Sequence, residues 1–98
     1  MRLNIAEQKS IKDTFYDVFD EGEIYLFGSR VDDEKKGGDI DLYISLDQPL
    51  SIESRANKKT KFILSLEDKL GEQKIDVIIS KDKSRSIEVE ALLSGIKL

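Results

Sequence analysis

Residues 39–45 read Asp39-Ile40-Asp41-Leu42-Tyr43-Ile44-Ser45, and this stretch decides the fold. Ile40, Leu42 and Ile44 alternate with Asp39, Asp41 and Tyr43, the period of a strand with one buried face. Carboxylates at i and i+2 on a strand stand on the same side, so Asp39 and Asp41 sit together opposite the apolar set. Downstream, Lys74 to Ser80 repeats the pattern, with Ile75, Val77 and Ile79 on one face and Asp76, Ile78 and Ser80 on the other. Between the two lies a long helix, capped by Ser51 after the loop at Pro49 and stopped by Gly71. Ile52, Ala56, Ile63, Leu66 and Leu70 keep helical spacing along it, with Lys59 at the one polar gap. A helical crossover makes its two strands parallel and adjacent. The two strand starts then meet, and Asp76 comes within reach of Asp39 and Asp41.

Further outward, Asn4 to Phe19 reads as a helix. Ile11, Phe15, Val18 and Phe19 form its apolar stripe, Asn4 and Glu7 its N-terminal cap, and Gly22 its end. Glu23 to Phe27 is a short strand closed by Gly28. A helix opening at Ser84 or Ser86 packs Val89, Leu92 and Leu93 and breaks at Gly95, and Ile96 to Leu98 adds a short edge strand. The expected order is α-β-α-β-α-β-α in a single domain over residues 1–98.

Composition narrows the chemistry. The 98 residues contain no Cys and no His, which excludes disulfides, thiol nucleophiles, Ser-His-Asp catalysis and His-ligated zinc. A net charge of −4 argues against free-standing nucleic-acid binding. The N-terminus has no signal-peptide core and no apolar run spans a bilayer, so a cytoplasmic protein without membrane contact is expected. Chemistry must rest on carboxylates, hydroxyls, Lys, Arg and backbone.

Three carboxylates on one open sheet face repel one another unless a cation joins them. Hard oxygen ligands of this kind suit Mg²⁺ or Mn²⁺, and the set fits a two-metal phosphoryl-transfer site. Gly28 lets a phosphate approach the backbone, Ser29 offers a hydroxyl at the start of a helical turn, and Arg30 adds a fixed charge. Taken singly, Gly-Ser is an ordinary turn and Asp-x-Asp an ordinary strand end. Their order along the chain is the stronger signal.

Phe27-Gly28-Ser29, then Asp39-Ile40-Asp41-Leu42, then Ile75-Asp76-Val77 resembles the motif set of minimal nucleotidyltransferase (MNT) domains of the DNA polymerase β-like superfamily. The resemblance covers essentially the whole chain, including the Gly95-Ile96-Lys97-Leu98 tail; the Ser29 to Asp39 spacing is at the short end. It implies an α/β (α+β) fold, a mixed β-sheet with helices packed on one face. It implies two Mg²⁺ ions on Asp39, Asp41 and Asp76, these same residues as the catalytic set, and Gly28 and Ser29 as nucleotide-binding positions, to which the charge of Arg30 is added. The implied reaction moves a nucleoside monophosphate, AMP from ATP, to an acceptor hydroxyl and releases pyrophosphate, with Asp76 best placed to activate the hydroxyl. Stand-alone MNT proteins pair with HEPN-domain proteins in toxin–antitoxin modules, so a HEPN partner and an antitoxin role are implied. The alternative is a non-catalytic antitoxin that neutralises its partner by contact. A glycosyltransferase using Asp-x-Asp is disfavoured by the short chain and the Gly-Ser pair. Homo-oligomerisation, the acceptor and the base preference stay open.

Other features have plainer readings. Arg55, Lys58, Lys59 and Lys61 read as one basic patch on the long helix, a solvated face or a contact for RNA or an acidic partner. Asp32 to Lys36 with Gly37-Gly38 reads as a surface loop or a flap over nucleotide, Lys35 and Lys36 being weak phosphate candidates. Asp13, Asp17, Asp20, Glu21 and Glu23 read as a solvated acidic strip.

Overall fold

The alternation of residues 39–45 becomes the second strand of a four-stranded sheet. The computed structural model describes residues 3–28, 40–71 and 73–98. In chain order these form α1 (Ile5–Phe19), β1 (Glu23–Phe27), β2 (Ile40–Ser45), α2 (Ile52–Leu70), β3 (Ile75–Ile79), α3 (Ser86–Ser94) and β4 (Ile96–Lys97). The strand order is β3-β2-β1-β4. β1 runs antiparallel to β2 and β4, and β2 runs parallel to β3. The parallel pair is the one the crossover helix α2 requires. The helical turn expected after Gly28 lies outside the described residues.

One sheet face is apolar. Ile24, Leu26, Ile40, Leu42, Ile44, Ile75, Val77 and Ile79 are all buried there, against Ile11, Phe15, Val18 and Phe19 of α1 and Phe62 and Leu66 of α2. Phe19 stacks on Phe15 and meets Phe62 edge-on, with ring centroids 5.7 and 5.8 Å apart. Lys69 Nζ donates to the buried Thr14 Oγ1 at 2.8 Å and ties the two long helices together.

Local signals set the helix ends. Asn4 and Glu7 form a reciprocal capping box, each side chain accepting from the other's backbone N–H. Ser51 Oγ accepts from the Ser54 N–H, and Gly71 closes α2 at φ +82°. The end of α1 differs from the expectation. Asp20, at φ +64°, is its C-cap, and Gly22 serves the following turn at φ +100°. A Cβ on Gly22 would lie 2.5 Å from the Ser45 carbonyl oxygen, so that turn needs glycine.

The apolar stripe of α2 is also shifted. Phe62 and Leu66 are buried, with Ile63 and Leu70 packed partly against the core, whereas Ile52 is 79% exposed and Ala56 is exposed. Ile52 and Ala56 instead line an open groove beside β3, so spacing alone overstated the stripe.

The short α3 sits on the second face. Helical spacing predicts that it packs Val89, Leu92 and Leu93, but the structure turns these outward, Leu93 being 82% exposed. Glu88 and Ala91 face inward instead and are fully buried. The physical reason is Tyr43, whose hydroxyl is buried on that face and needs an acceptor. The helix opens at Ser86, one of the two expected starts, with Arg85 as its N-cap and no side-chain cap bond.

Candidate active site

The second sheet face is organised in rows, because strand register places every second residue of each strand on it. One row runs Phe27, Asp41, Asp76 across β1, β2 and β3: Phe27 is the register partner of Asp41, and Asp41 of Asp76. The next row runs Lys97, Tyr25, Tyr43, Ile78 across all four strands.

In the first row, Asp41 is half-buried on the central strand and Asp76 is exposed on the edge strand. Paired positions of adjacent strands are about 5 Å apart, so the two carboxylates share one patch of surface. Gly28 follows Phe27 at φ +74° and lies against Asp41. A Cβ there would collide with Asp41 Oδ2 and come within 3.0 Å of its Cγ. The glycine therefore supplies both the left-handed turn and the space for the carboxylate. Phe27, used at first only as the apolar member of its motif, is the neighbour of Asp41 that spacing did not single out. Its place follows from the antiparallel register.

Of the expected site residues, the structure thus brings Gly28, Asp41 and Asp76 together. Ser29, Arg30 and Asp39 lie outside the described residues, as do Asp32 to Lys36 and Gly37-Gly38. Among the described residues, no three His, Cys, Asp or Glu side chains gather into a metal site, and the third carboxylate of the expected trio is Asp39. Two hard oxygen donors on adjacent strands, with a glycine clearing the approach, fit a divalent cation such as Mg²⁺.

The second row is closed. Tyr43 is fully buried, and its hydroxyl donates to Glu88 Oε1 at 2.7 Å. Glu88 also accepts from the backbone N–H groups of Lys81 and Asp82 and from Arg85 Nε at 2.7 Å. Burial pushes the Glu88 carboxyl up, but these donors outweigh it and hold it below the usual carboxylate range. Burial, and then the bond to Glu88, raise the Tyr43 phenol far above its ordinary value. Beside it, Tyr25 donates to Glu23 Oε2 at 2.6 Å and Lys97 Nζ donates to Oε1 at 2.9 Å, holding Glu23 low. Sequence reading missed Glu88. The signal available was a tyrosine on the inward half of a strand, which demands a distant acceptor.

The basic patch expected on α2 divides. Arg55 and Lys59 turn toward the edge of β3, whereas Lys58 Nζ lies over the Phe19 ring, 5.8 Å from its centroid, and Lys61 is exposed.

Against this geometry, comparisons with known proteins give a consistent class. The profile described as polymerase beta, nucleotidyltransferase matches residues 9–98. The chain belongs to the polymerase beta nucleotidyltransferase family. A crystal structure of a mutant of the toxin–antitoxin MntA-HpeT is similar in fold, with a TM-score of 0.66 and 22% identity over 97% of this chain and 72% of that one. No curated protein sequence matches the chain. No described helix is long and apolar enough to cross a membrane.

Proposed function

We propose that the protein is a metal-dependent nucleotidyltransferase that moves AMP from ATP to an acceptor hydroxyl and releases pyrophosphate, as the antitoxin of a HEPN–MNT pair in the cytoplasm. The observation that carries this reading is the direct opposition of Asp41 and Asp76 on adjacent parallel strands, with Gly28 pressed against Asp41. Family membership supports the reaction class. The MntA-HpeT structure supports the toxin–antitoxin setting, and its double mutation, D39E with D41E, changes two aspartates spaced as Asp39 and Asp41 are here.

In this mechanism Asp39, Asp41 and Asp76 would hold two Mg²⁺ ions, and Gly28, Ser29 and Arg30 would bind the triphosphate. When bound, the ions would neutralise charge on the phosphates and make the acceptor oxygen more acidic. The acceptor oxygen forms a bond to the α-phosphorus, the α–β bridging bond breaks, and the pyrophosphate leaves with that electron pair. Asp76, exposed at the sheet edge, takes the hydroxyl proton. Its position lets a macromolecular acceptor reach it.

Incubation with labelled ATP, Mg²⁺ and the neighbouring HEPN protein should label that partner. Asp39→Asn or Asp41→Asn should abolish labelling with little loss of stability, and unchanged transfer refutes the assignment. A second reading, neutralisation by contact alone, is favoured by the exposed apolar side chains of α3, including Val89, Leu92 and Leu93. It requires that Asp41→Asn still protects cells from the partner, and protection lost together with labelling rejects it.

A further inference from the structure

An open groove of about 430 Å³ lies between the later part of β3 and the first half of α2. Ile52 and Ile78 give it apolar surface, and Ile52 is 79% exposed. Ile75, Val77 and Ile79 are buried, so β3 presents no free backbone there and recognition falls to side chains. The groove borders the acid pair. Asp76 and Ile78 alternate onto the same sheet face, about 7 Å apart along β3.

Arg55, Lys59, Lys81 and Arg85 also line the groove, and no described carboxylate does. Arg85 Nε is engaged by Glu88, but no described carboxylate pairs with Arg55, Lys59 or Lys81. On a chain of net charge −4, this is a concentrated positive field beside an exposed isoleucine.

We propose that this groove docks the acceptor protein by an acidic surface segment that carries an apolar anchor, and so brings the acceptor hydroxyl to Asp76. The delivery to Asp76 rests on the transfer reading above, whereas the docking rests on the groove itself. Charge complementarity selects the partner: unpaired cations steer carboxylates inward and fix their register. An apolar side chain against Ile52 and Ile78, with charges around it, has the anatomy of a protein–protein contact. A nucleic acid would miss the stacking it normally uses, because no aromatic side chain lines the groove. A second copy facing the groove with its own would set like cations against each other.

The test uses the neighbouring HEPN protein as the probe and measures binding and labelling separately. Asp41→Asn protein should still bind it, with an association rate that falls as salt rises. In that background Arg55→Glu with Lys59→Glu should weaken binding at least tenfold, and Ile52→Ser several-fold with the salt dependence unchanged. Lys59→Glu with Lys81→Glu is the second charge reversal, for use if the first lowers the melting temperature by more than a few degrees. In the active protein the same reversals should raise the KM for the acceptor and leave the KM for ATP unchanged. Carbodiimide, which joins ammonium groups to carboxylates in contact, should link Lys59 or Lys81 to an Asp or Glu of the HEPN protein, read by mass spectrometry. Cation-dependent binding without labelling breaks the transfer reading and keeps the docking. Labelling that ignores both reversals keeps transfer and overturns the docking. Absence of binding, absence of the cross-link, or displacement of the HEPN protein by oligoadenylate also overturns it. So does self-association, seen by sedimentation and abolished by the same reversals, which assigns the groove to a second copy.

Discussion

Two rows on one sheet face, two residues apart along each strand, behave in opposite ways. The row of Phe27, Asp41 and Asp76 stays accessible, half-buried at Phe27 and Asp41 and exposed at Asp76. The row of Tyr25, Tyr43 and Ile78 is closed at its centre, where Tyr43 is buried and fixed to α3 by the Tyr43–Glu88–Arg85 chain of hydrogen bonds. Both rows contain buried or half-buried polar groups, so polarity does not separate them. The difference lies in supply. Glu88 accepts from several donors and is fully buried, whereas Asp41 and Asp76 oppose each other as like charges across a strand pair.

The largest expected effect breaks the open row alone. Asp41→Asn should lower nucleotidyl transfer about 10³-fold, equivalent to ~4 kcal/mol of barrier, while thermal unfolding stays near wild type. Glu88→Ala should do the reverse. It strands the Tyr43 hydroxyl, Arg85 and two backbone N–H groups, and should cost about 3 kcal/mol of stability by denaturant titration. Gly28→Ala touches the boundary between turn and acid pair. The positive φ and the collision with Asp41 should cost ~1–2 kcal/mol and reduce transfer as well, so that both readouts move together.

Smaller effects sharpen the closed row. The lowered Glu88 carboxyl contributes stability that is complete above its ordinary value of 4.5 and fades as pH falls through its value in the folded protein. The raised Tyr43 phenol contributes stability that is complete below its ordinary value of 10.0 and fades as pH rises past it. Subtracting the pH–stability profile of Tyr43→Phe from wild type should expose the alkaline arm, and Glu88→Gln the acidic one. The smallest effect belongs to the outward side of α3. Leu93→Ser should change stability by less than about 0.5 kcal/mol, which a shift in melting temperature will test.

Much of this contrast was legible in the sequence. Period-two alternation located β2 and β3, and the length of α2 dictated their parallel pairing, which puts Asp76 beside Asp41. The capping residues Asn4, Ser51 and Gly71 marked helix ends because their bonds are local. What could not be read was long-range. The rotation of α3 depends on a hydroxyl 45 positions upstream of Glu88, and an apolar-stripe reading prefers Leu92 and Leu93 inside. The exposed start of α2 depends on the open groove it forms beside β3, which Ile52 and Ala56 do not encode. The split of the basic patch followed from Phe19, an aromatic from another helix that draws Lys58 away.

The parallel register of β2 and β3 has a consequence for how activity arises during synthesis. Asp41 and Asp76 are 35 positions apart and meet only after α2 has wound and laid the returning strand against its neighbour. Contacts of that separation form late, since chain closure must precede their reward. A half-made or misregistered polypeptide would carry both aspartates yet hold them apart. Turnover would then be an assay of finished architecture, silent until the last crossover is complete.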